Sequence, residues 1–292
     1  MKQSTKWSTI ALLFPQLMMT SVLLFGVFAG VVQSFGIIPA LNLNTWTLDY
    51  YRDLFSNPSF LASLYFSLRI ALVSSILSLL IGLFFCYIML QFPKIEKRML
   101  FTVQIPIIIP HLIVALFIII LFGKVGWLAR LFYFLGFENA QSWFSSFIYD
   151  SKGRGVILAY LWKEAPFIIF YCYPLLRRVD KELGEAAETL GATSIQTFLK
   201  ITVPLAKTTI ITGFIMIFLY AFGAYELPNL LGPTLPRTLP ELAYIEYTHP
   251  DLLNRPYAMA VNGVILAVSV ILSLVILKLV NYKGGYYEKS NV

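Results

Sequence analysis

Charged side chains are scarce in this chain of 292 residues, at 13% of the total, whereas 58% of the residues are hydrophobic. A water-soluble domain carries about 25% charged residues. A surface in contact with water needs that charge, and a surface in contact with lipid cannot accommodate it. The composition therefore excludes an ordinary soluble domain and predicts a membrane protein.

Residues that bind metals or catalyse redox chemistry are also few. The two cysteines, Cys86 and Cys172, lie in separate apolar runs and form no CxxC pair, so we interpret them as buried thiols. His111 and His249 are too few and too scattered for a metal site. The sequence also lacks a GxxxxGKS/T phosphate loop, so we expect no P-loop nucleotide site on this chain. We predict no catalytic residue, metal site or cofactor on this chain.

Six apolar stretches are each long enough to cross a bilayer, which takes about 20 residues. They cover residues 10–35, 60–90, 99–122, 155–176, 208–231 and 259–281. The first stretch is too long for the apolar region of a signal peptide, so we interpret it as a retained span. Pro106 and Pro110 in the third stretch and Pro166 in the fourth are expected to kink their helices. The sequence thus predicts an all-α membrane protein with six transmembrane helices.

The distribution of basic residues predicts how these spans are oriented. Six spans place both termini on one side of the membrane, and that side holds twelve Lys and Arg residues against seven on the other. Because basic loops favour the cytoplasm, we predict that both termini are cytoplasmic. The same asymmetry explains the net charge of +7 better than nucleic-acid binding does.

Two of the predicted outward loops have distinctive compositions. Residues 124–154 are rich in Trp and Phe, which indicates short amphipathic helices along the membrane interface. Residues 233–258 contain five prolines, which predicts a stiff and largely irregular loop.

The longest predicted cytoplasmic loop, residues 177–207, joins spans four and five. Asp180 is a candidate N-cap for a short helix, and Gly191 suits the left-handed conformation that ends one. Ser194 is a candidate cap for a second short helix. The apolar faces would carry Leu183, Ala186, Ala187 and Leu190 in the first helix and Ile195, Phe198 and Leu199 in the second. Helices this short need a partner, which we expect to be another protein.

A motif in this loop resembles the EAA motif of binding-protein-dependent ABC importer permeases. Its residues are Glu185, Ala186, Ala187, Gly191, Ile201 and Pro204. The family's usual Leu-Pro ending is Val203-Pro204 here, which is a minor departure. The stretches 47–51 and 162–167 are also similar to this family, and the resemblance covers about residues 60–280.

The resemblance implies a transport subunit rather than an enzyme. It divides the chain into a first span with an outward loop (1–59), a transmembrane domain (60–281, with its coupling loop at 177–207) and a cytoplasmic tail (282–292). It implies a dimer of ATP-binding subunits that hold ATP and Mg²⁺, a second and related permease chain, an extracytoplasmic substrate-binding protein, and a location in the bacterial inner membrane. Glu185 would contact the ATPase, Ala186 and Ala187 would allow close approach, and Gly191 would set the turn.

Charged residues inside spans are candidates for functional groups. Lys163 and Glu164 are each expected to have a partner on another span, and Arg69 is interpreted as structural. In span five, Gly and Pro can interrupt the helix where it lines a cavity. We predict that the substrate pathway there includes Tyr225, Glu226 and Asn229, with structural hydrogen bonding of Glu226 as the alternative.

The substrate is the least determined feature of the sequence. The chain resembles the permeases of the polyamine, iron, thiamine and phosphonate group, and Glu226 beside aromatic residues suits a cation. Spermidine or putrescine is therefore the expected substrate, with another small solute as the alternative. A secondary transporter is the alternative class, but the inverted repeats and midplane ion sites typical of that class are not evident in the sequence.

Overall fold

The structure is a computed structural model that describes the backbone of residues 4–288 and the side chains of residues 12–278. Lys2 and Lys289, which contribute to the predicted orientation, and residues 289–292 of the predicted tail lie outside the described residues. Within this range the chain forms fifteen α-helices and one two-stranded antiparallel sheet, β1 (Ile37–Ile38) with β2 (Leu43–Asn44).

The helices follow one another along the chain with short connections. They are α1 (Ser4–Ser34), α2 (Asp49–Ser56), α3 (Pro58–Gln91), α4 (Pro93–Ile108), α5 (His111–Phe122), α6 (Trp127–Phe134), α7 (Ala140–Phe144), α8 (Arg154–Val179), α9 (Glu185–Thr189), α10 (Ser194–Thr197), α11 (Val203–Leu205), α12 (Lys207–Gly223), α13 (Glu226–Leu231), α14 (Leu239–Tyr247) and α15 (Arg255–Glu288).

Five helices of the described chain are long and apolar enough to cross a membrane. A sixth span results if the pair Ser194–Leu205 and Lys207–Gly223, bent by 74°, is counted as one. In α1 every side chain from Leu12 to Phe28 is exposed, which suits lipid rather than water. The predicted all-α membrane fold is confirmed.

Two of the predicted spans are interrupted partway along their length. Span three breaks between α4 and α5, because Ile109 precedes Pro110 and takes an extended conformation (ψ 128°) that this position favours. Span five breaks between α12 and α13, where Ala224 is extended (ψ 139°). The interruption predicted in span five and the bend predicted at Pro110 are therefore confirmed, whereas Pro106 and Pro166 are accommodated within continuous helices.

The chain divides into two compact units, each described here by itself. The first contains residues 1–61 and 242–266. In it Phe35 stacks on Trp46 at a centroid distance of 4.1 Å, and the Tyr51 hydroxyl donates to Ser34 Oγ at 2.7 Å. Tyr51 belongs to the stretch 47–51 that resembles the permease family, and these contacts show that it has a packing role.

The second unit contains residues 62–241 and 267–292. Its core is built where α3, α4, α8 and α12 pack together. Buried residues of this core include Cys86, Met89, Val103, Cys172, Leu176 and Ile210. Both cysteines are free thiols within it, as the sequence predicts.

The two loops predicted to face outward differ in how well their sequence predicts them. The loop 124–154 forms the short helices α6 and α7, and α6 also belongs to the stretch His111–Phe134 that is long and apolar enough to cross a membrane. The expectation of a largely irregular loop at 233–258 is wrong, because α14 lies inside it. Pro240 takes the second position of that helix, where no amide donor is needed. The Glu241 carboxylate accepts from the backbone N–H and the hydroxyl of Thr238 at 2.8 and 2.7 Å, which secures the helix start.

Candidate functional site

Two regions contain the residues predicted to be functional: the hairpin of residues 177–207 and a pair of cavities at the helix breaks. The hairpin begins as a direct continuation of α8 through a π-helical turn at Asp180–Gly184 into α9. Asp180 has helical angles (φ −61°, ψ −44°), so its prediction as an N-cap is wrong. No helix starts there, because α8 continues through Asp180 into the hairpin.

The turn of the hairpin lies at residues 190–193. Gly191 has φ +91°, as expected for a left-handed residue, and its N–H donates to the Glu188 carbonyl at 2.9 Å. The next helix is capped by Thr193 and not by Ser194. Thr193 and Gln196 form a reciprocal capping box in which each side chain accepts from the other's backbone N–H, at 3.1 and 3.4 Å.

The two arms of the hairpin are held together by small and polar residues. The Thr202 hydroxyl donates to Asp180 Oδ1 at 3.2 Å, so Asp180 joins the arms instead of capping a helix. A Cβ atom at Gly184 would lie 2.9 Å from that oxygen and 3.2 Å from Thr197 Cγ2. Gly184 therefore allows the close approach of the arms.

The outer surface of the hairpin exposes apolar side chains. Leu183 is 48% exposed and Leu190 is 89% exposed, so the predicted apolar face of the first arm points to solvent. In this arm Gly184 is buried instead. Of the second arm's predicted inner residues only Phe198 is buried. The exposed apolar side chains are Leu183, Leu190, Ile195, Leu199 and Leu205. Among the motif residues Glu185, Ala186, Gly191 and Pro204 are exposed, and Ala187 and Ile201 are half-buried.

Gly191→Val is expected to weaken the hairpin more than Gly191→Asn. A Cβ atom at this position meets no atom within 4 Å, so the cost arises from the positive φ and not from crowding. That cost is about 1–2 kcal/mol for a side chain, and Asn tolerates the conformation better than a β-branched residue. Protease sensitivity of the loop in detergent measures it. Equal sensitivity of the two variants would contradict the prediction.

The predicted pathway residues Tyr225, Glu226 and Asn229 lie together in one cavity of about 430 Å³. They follow the break in span five, and the facing wall is the start of α5 at the break in span three. That wall is formed by Pro110, His111 and Leu112. We call this space the outer cavity. The structure thus brings the two interrupted spans together at one polar surface.

His111 connects the polar groups of these two spans, and the sequence does not predict this role. Its Nδ1 lies 3.3 Å from Glu226 Oε2, and its Nε2 is hydrogen-bonded to the Tyr220 hydroxyl. The side chain of Glu226 is 68% exposed, so this contact leaves most of its carboxylate accessible. The signal available in the sequence is the placement of His111 directly after Pro110.

A second space of about 300 Å³, the inner cavity, shares His111 with the outer one. Its lining residues are Ile107, His111, Lys163, Glu164, Phe167, Met216, Ile217 and Tyr220. Lys163 Nζ donates to the Ile109 carbonyl at 2.6 Å, and Glu164 Oε2 accepts from the Ser78 hydroxyl at 3.2 Å. The expectation that each has a partner on another span is confirmed, and the break in span three supplies the carbonyl for Lys163.

A bundle of spans with a folded hairpin and polar cavities at broken helices defines a membrane transport subunit. Residues 74–283 match the family described as binding-protein-dependent transport system inner membrane component, so the chain belongs to that family. It is a permease subunit of an ABC importer.

Related sequences carry several substrates in their names. A probable sulfate transport system permease protein of Prototheca wickerhamii is 26% identical over 90% of this chain and 97% of its own length. The spermidine/putrescine permease PotB of Escherichia coli K12 is 29% identical over 64% of this chain and 66% of its own length. The sulfate permease CysT of a Synechocystis strain is 30% identical over 64% and 61%.

Solved structures show the same fold at lower identity. A bacterial ABC transporter for import of the acidic polysaccharide alginate matches with a TM-score of 0.76 at 17% identity, over 96% of both chains. A bacterial alginate transporter in complex with a pentasaccharide-bound periplasmic protein matches with a TM-score of 0.71 at 19% identity, over 96% of this chain and 94% of that one.

Proposed function

We propose that this chain forms part of a solute pathway across the bacterial inner membrane and is driven by a separate dimer of ATP-binding subunits. The hairpin of residues 177–207 is the proposed contact with those subunits, through Glu185, Ala186, Ala187, Gly191, Ile201 and Pro204. ATP and Mg²⁺ would be held by the ATP-binding subunits. Both termini of this chain would lie in the cytoplasm.

The observation that carries this proposal is the exposed apolar surface of the hairpin. Five apolar side chains are exposed on a segment that is internally ordered by a capping box and by the Asp180–Thr202 hydrogen bond. A structured segment that exposes apolar residues is typical of a protein–protein contact. Because α8 continues into the first arm, a push on the hairpin would be transmitted to the helix that bears Lys163 and Glu164.

The other proposed partners follow from the family. A second, related permease chain would complete the pathway, and an extracytoplasmic binding protein would deliver the solute. The alginate transporter's complex with a periplasmic protein supports the second partner by likeness of fold alone.

We propose a small organic cation, such as spermidine or putrescine, as the substrate. The two cavities are lined by two carboxylates, Glu164 and Glu226, and by one ammonium group, that of Lys163. The exposed carboxylate of Glu226 lies beside Tyr225 and near Tyr220, and acidic and aromatic groups together favour cations.

The complex isolated from its host membranes tests the proposal. We expect an ATP-binding subunit to co-purify, and we expect reconstituted vesicles that contain the binding protein to accumulate spermidine only with ATP. Sulfate is the comparison solute. Uptake that continues without nucleotide and without an ATPase chain would instead indicate a secondary transporter. ATP-dependent uptake of sulfate but not of spermidine would overturn the proposed substrate.

A further inference from the structure

The inner cavity contains a carboxylate that is only partly satisfied. Glu164 is 3% exposed, and its Oε2 accepts from Ser78, but its Oε1 has no hydrogen-bond partner among the described residues. The Ser74 hydroxyl lies near the Glu164 carboxylate and donates to the Ala71 carbonyl at 3.3 Å. A buried carboxylate oxygen without a donor is unfavourable, so this position favours a ligand that can donate.

Two further unsatisfied groups lie on the same two helices. The Tyr160 hydroxyl, one helical turn from Glu164 on α8, and the Ser75 hydroxyl on α3 are buried and have no partner among the described residues. Tyr160 packs edge-on against Tyr220 at a centroid distance of 6.3 Å. Tyr220 also lines the inner cavity, so an aromatic ring and the Glu164 carboxylate border the same space, and both attract an ammonium group.

The inner cavity already accommodates one ammonium group, that of Lys163. Its Nζ donates to the Ile109 carbonyl, which is available because the helix breaks there. This bond engages Lys163 on the span-three side of the cavity, whereas the free oxygen of Glu164 has no such neighbour. Among the described residues of the inner cavity, the acceptor that remains unpaired is therefore Glu164 Oε1.

His111 links this position to the outer cavity, which contains the predicted pathway residues. It lines both cavities and contacts Glu226 in the outer one. A cation that displaces His111 from Glu226 would next meet the cavity that contains Glu164.

We propose that Glu164 forms an inner binding site for an ammonium group of the transported solute, reached from Glu226 past His111. This inference rests on the proposed amine substrate and adds a second carboxylate to the pathway. Phe167 and Tyr220, which line the inner cavity, supply the aromatic surface of the site, and Ser78 positions the carboxylate by its hydrogen bond to Oε2.

Spermidine uptake by the reconstituted complex, with its ATPase and binding protein, tests the site. Glu164→Gln keeps the shape of the side chain and removes its charge, and we expect the maximal uptake rate to fall at least about tenfold. We expect half-saturation to change little, because the external binding protein sets capture, and we expect Glu164→Asp to restore part of the rate. Ser63→Ala is the matched control, because Ser63 is a buried serine of α3 that does not line the inner cavity, and it should change the rate less than about twofold.

The outcomes separate the site from the substrate. If the wild-type complex does not take up spermidine, the proposed amine substrate is overturned, and this inference with it. A wild-type complex that transports spermidine and a Glu164→Gln complex with equal uptake overturn the inner site alone. Equal losses of uptake in Glu164→Gln and Ser63→Ala, with equally lowered melting temperatures, would attribute the loss to impaired folding and would also overturn it.

Discussion

Glu185→Lys is expected to lower solute-stimulated ATP hydrolysis by the importer complex at least about tenfold while leaving the melting temperature of the isolated permease unchanged. Glu185 is exposed on the hairpin, beside the exposed Ala186. Substitution of an exposed side chain usually changes stability by about 0.5 kcal/mol or less. If the hairpin is seated in a groove of the ATPase, reversal of a charge in that groove costs several kcal/mol of binding, about tenfold for each 1.4 kcal/mol.

ATPase assays with and without solute-loaded binding protein measure this effect, together with the amount of ATPase subunit that co-purifies. Glu138→Lys is the control, since it makes the same charge reversal at an exposed position on the predicted outward side. Full stimulation in Glu185→Lys would contradict the proposed contact. An equal loss in Glu138→Lys would attribute the effect to net charge rather than to the hairpin.

The sequence predicts the membrane helices well because their cause is local. Apolar runs of sufficient length must cross the bilayer as helices, so four of the six predicted spans correspond to long apolar helices. Span three begins in α4 and continues in the apolar stretch His111–Phe134, and span five belongs to a bent pair. The bend at Pro110 is likewise a local effect, since a proline restricts the residue before it. The positive φ of Gly191 follows from the same kind of reasoning.

Features that depend on how a segment continues are predicted less accurately. Asp180 is a residue type that suits an N-cap, but α8 continues through it. Its carboxylate accepts a hydrogen bond from the Thr202 hydroxyl instead. Thr193 and Ser194 are both suitable caps, and the presence of Gln196 three residues after Thr193 decides between them. The number of prolines in residues 233–258 does not predict α14, because a proline in the first turn of a helix is compatible with that helix.

The polar site is only half predictable, because its partners are far apart in sequence. Tyr225, Glu226 and Asn229 can be selected from one short stretch that follows Gly223. His111 and Tyr220 are 109 positions apart, and the partner of Lys163 is a backbone carbonyl 54 positions away. No residue pattern indicates a carbonyl acceptor, so such a contact becomes visible only in the folded chain.

Gly82→Val is expected to destabilise the permease by about 3 kcal/mol, because it would overfill the contact between α3 and α8. A Cβ atom at Gly82 would lie 2.6 Å from Ile168 Cγ2, 2.8 Å from Ile168 Cβ and 3.2 Å from the Ala165 carbonyl oxygen. Ile168 is fully buried, and one of the three atoms belongs to the backbone, so a rotamer change cannot relieve the overlap. Small residues at such contacts allow membrane helices to approach closely.

The melting temperature of the purified subunit in detergent measures this effect. Gly26→Val is the matched control, since Gly26 also lies within a predicted span and a Cβ atom there meets no atom within 4 Å. We expect a melting temperature several degrees lower for Gly82→Val and near the wild-type value for Gly26→Val. Because α8 carries Lys163 and Glu164 and continues into the hairpin, the Gly82 contact fixes the helix that joins the cavities to the proposed ATPase contact. Equal melting temperatures for the two variants would show that α3 and α8 are not packed as closely as the structure has them.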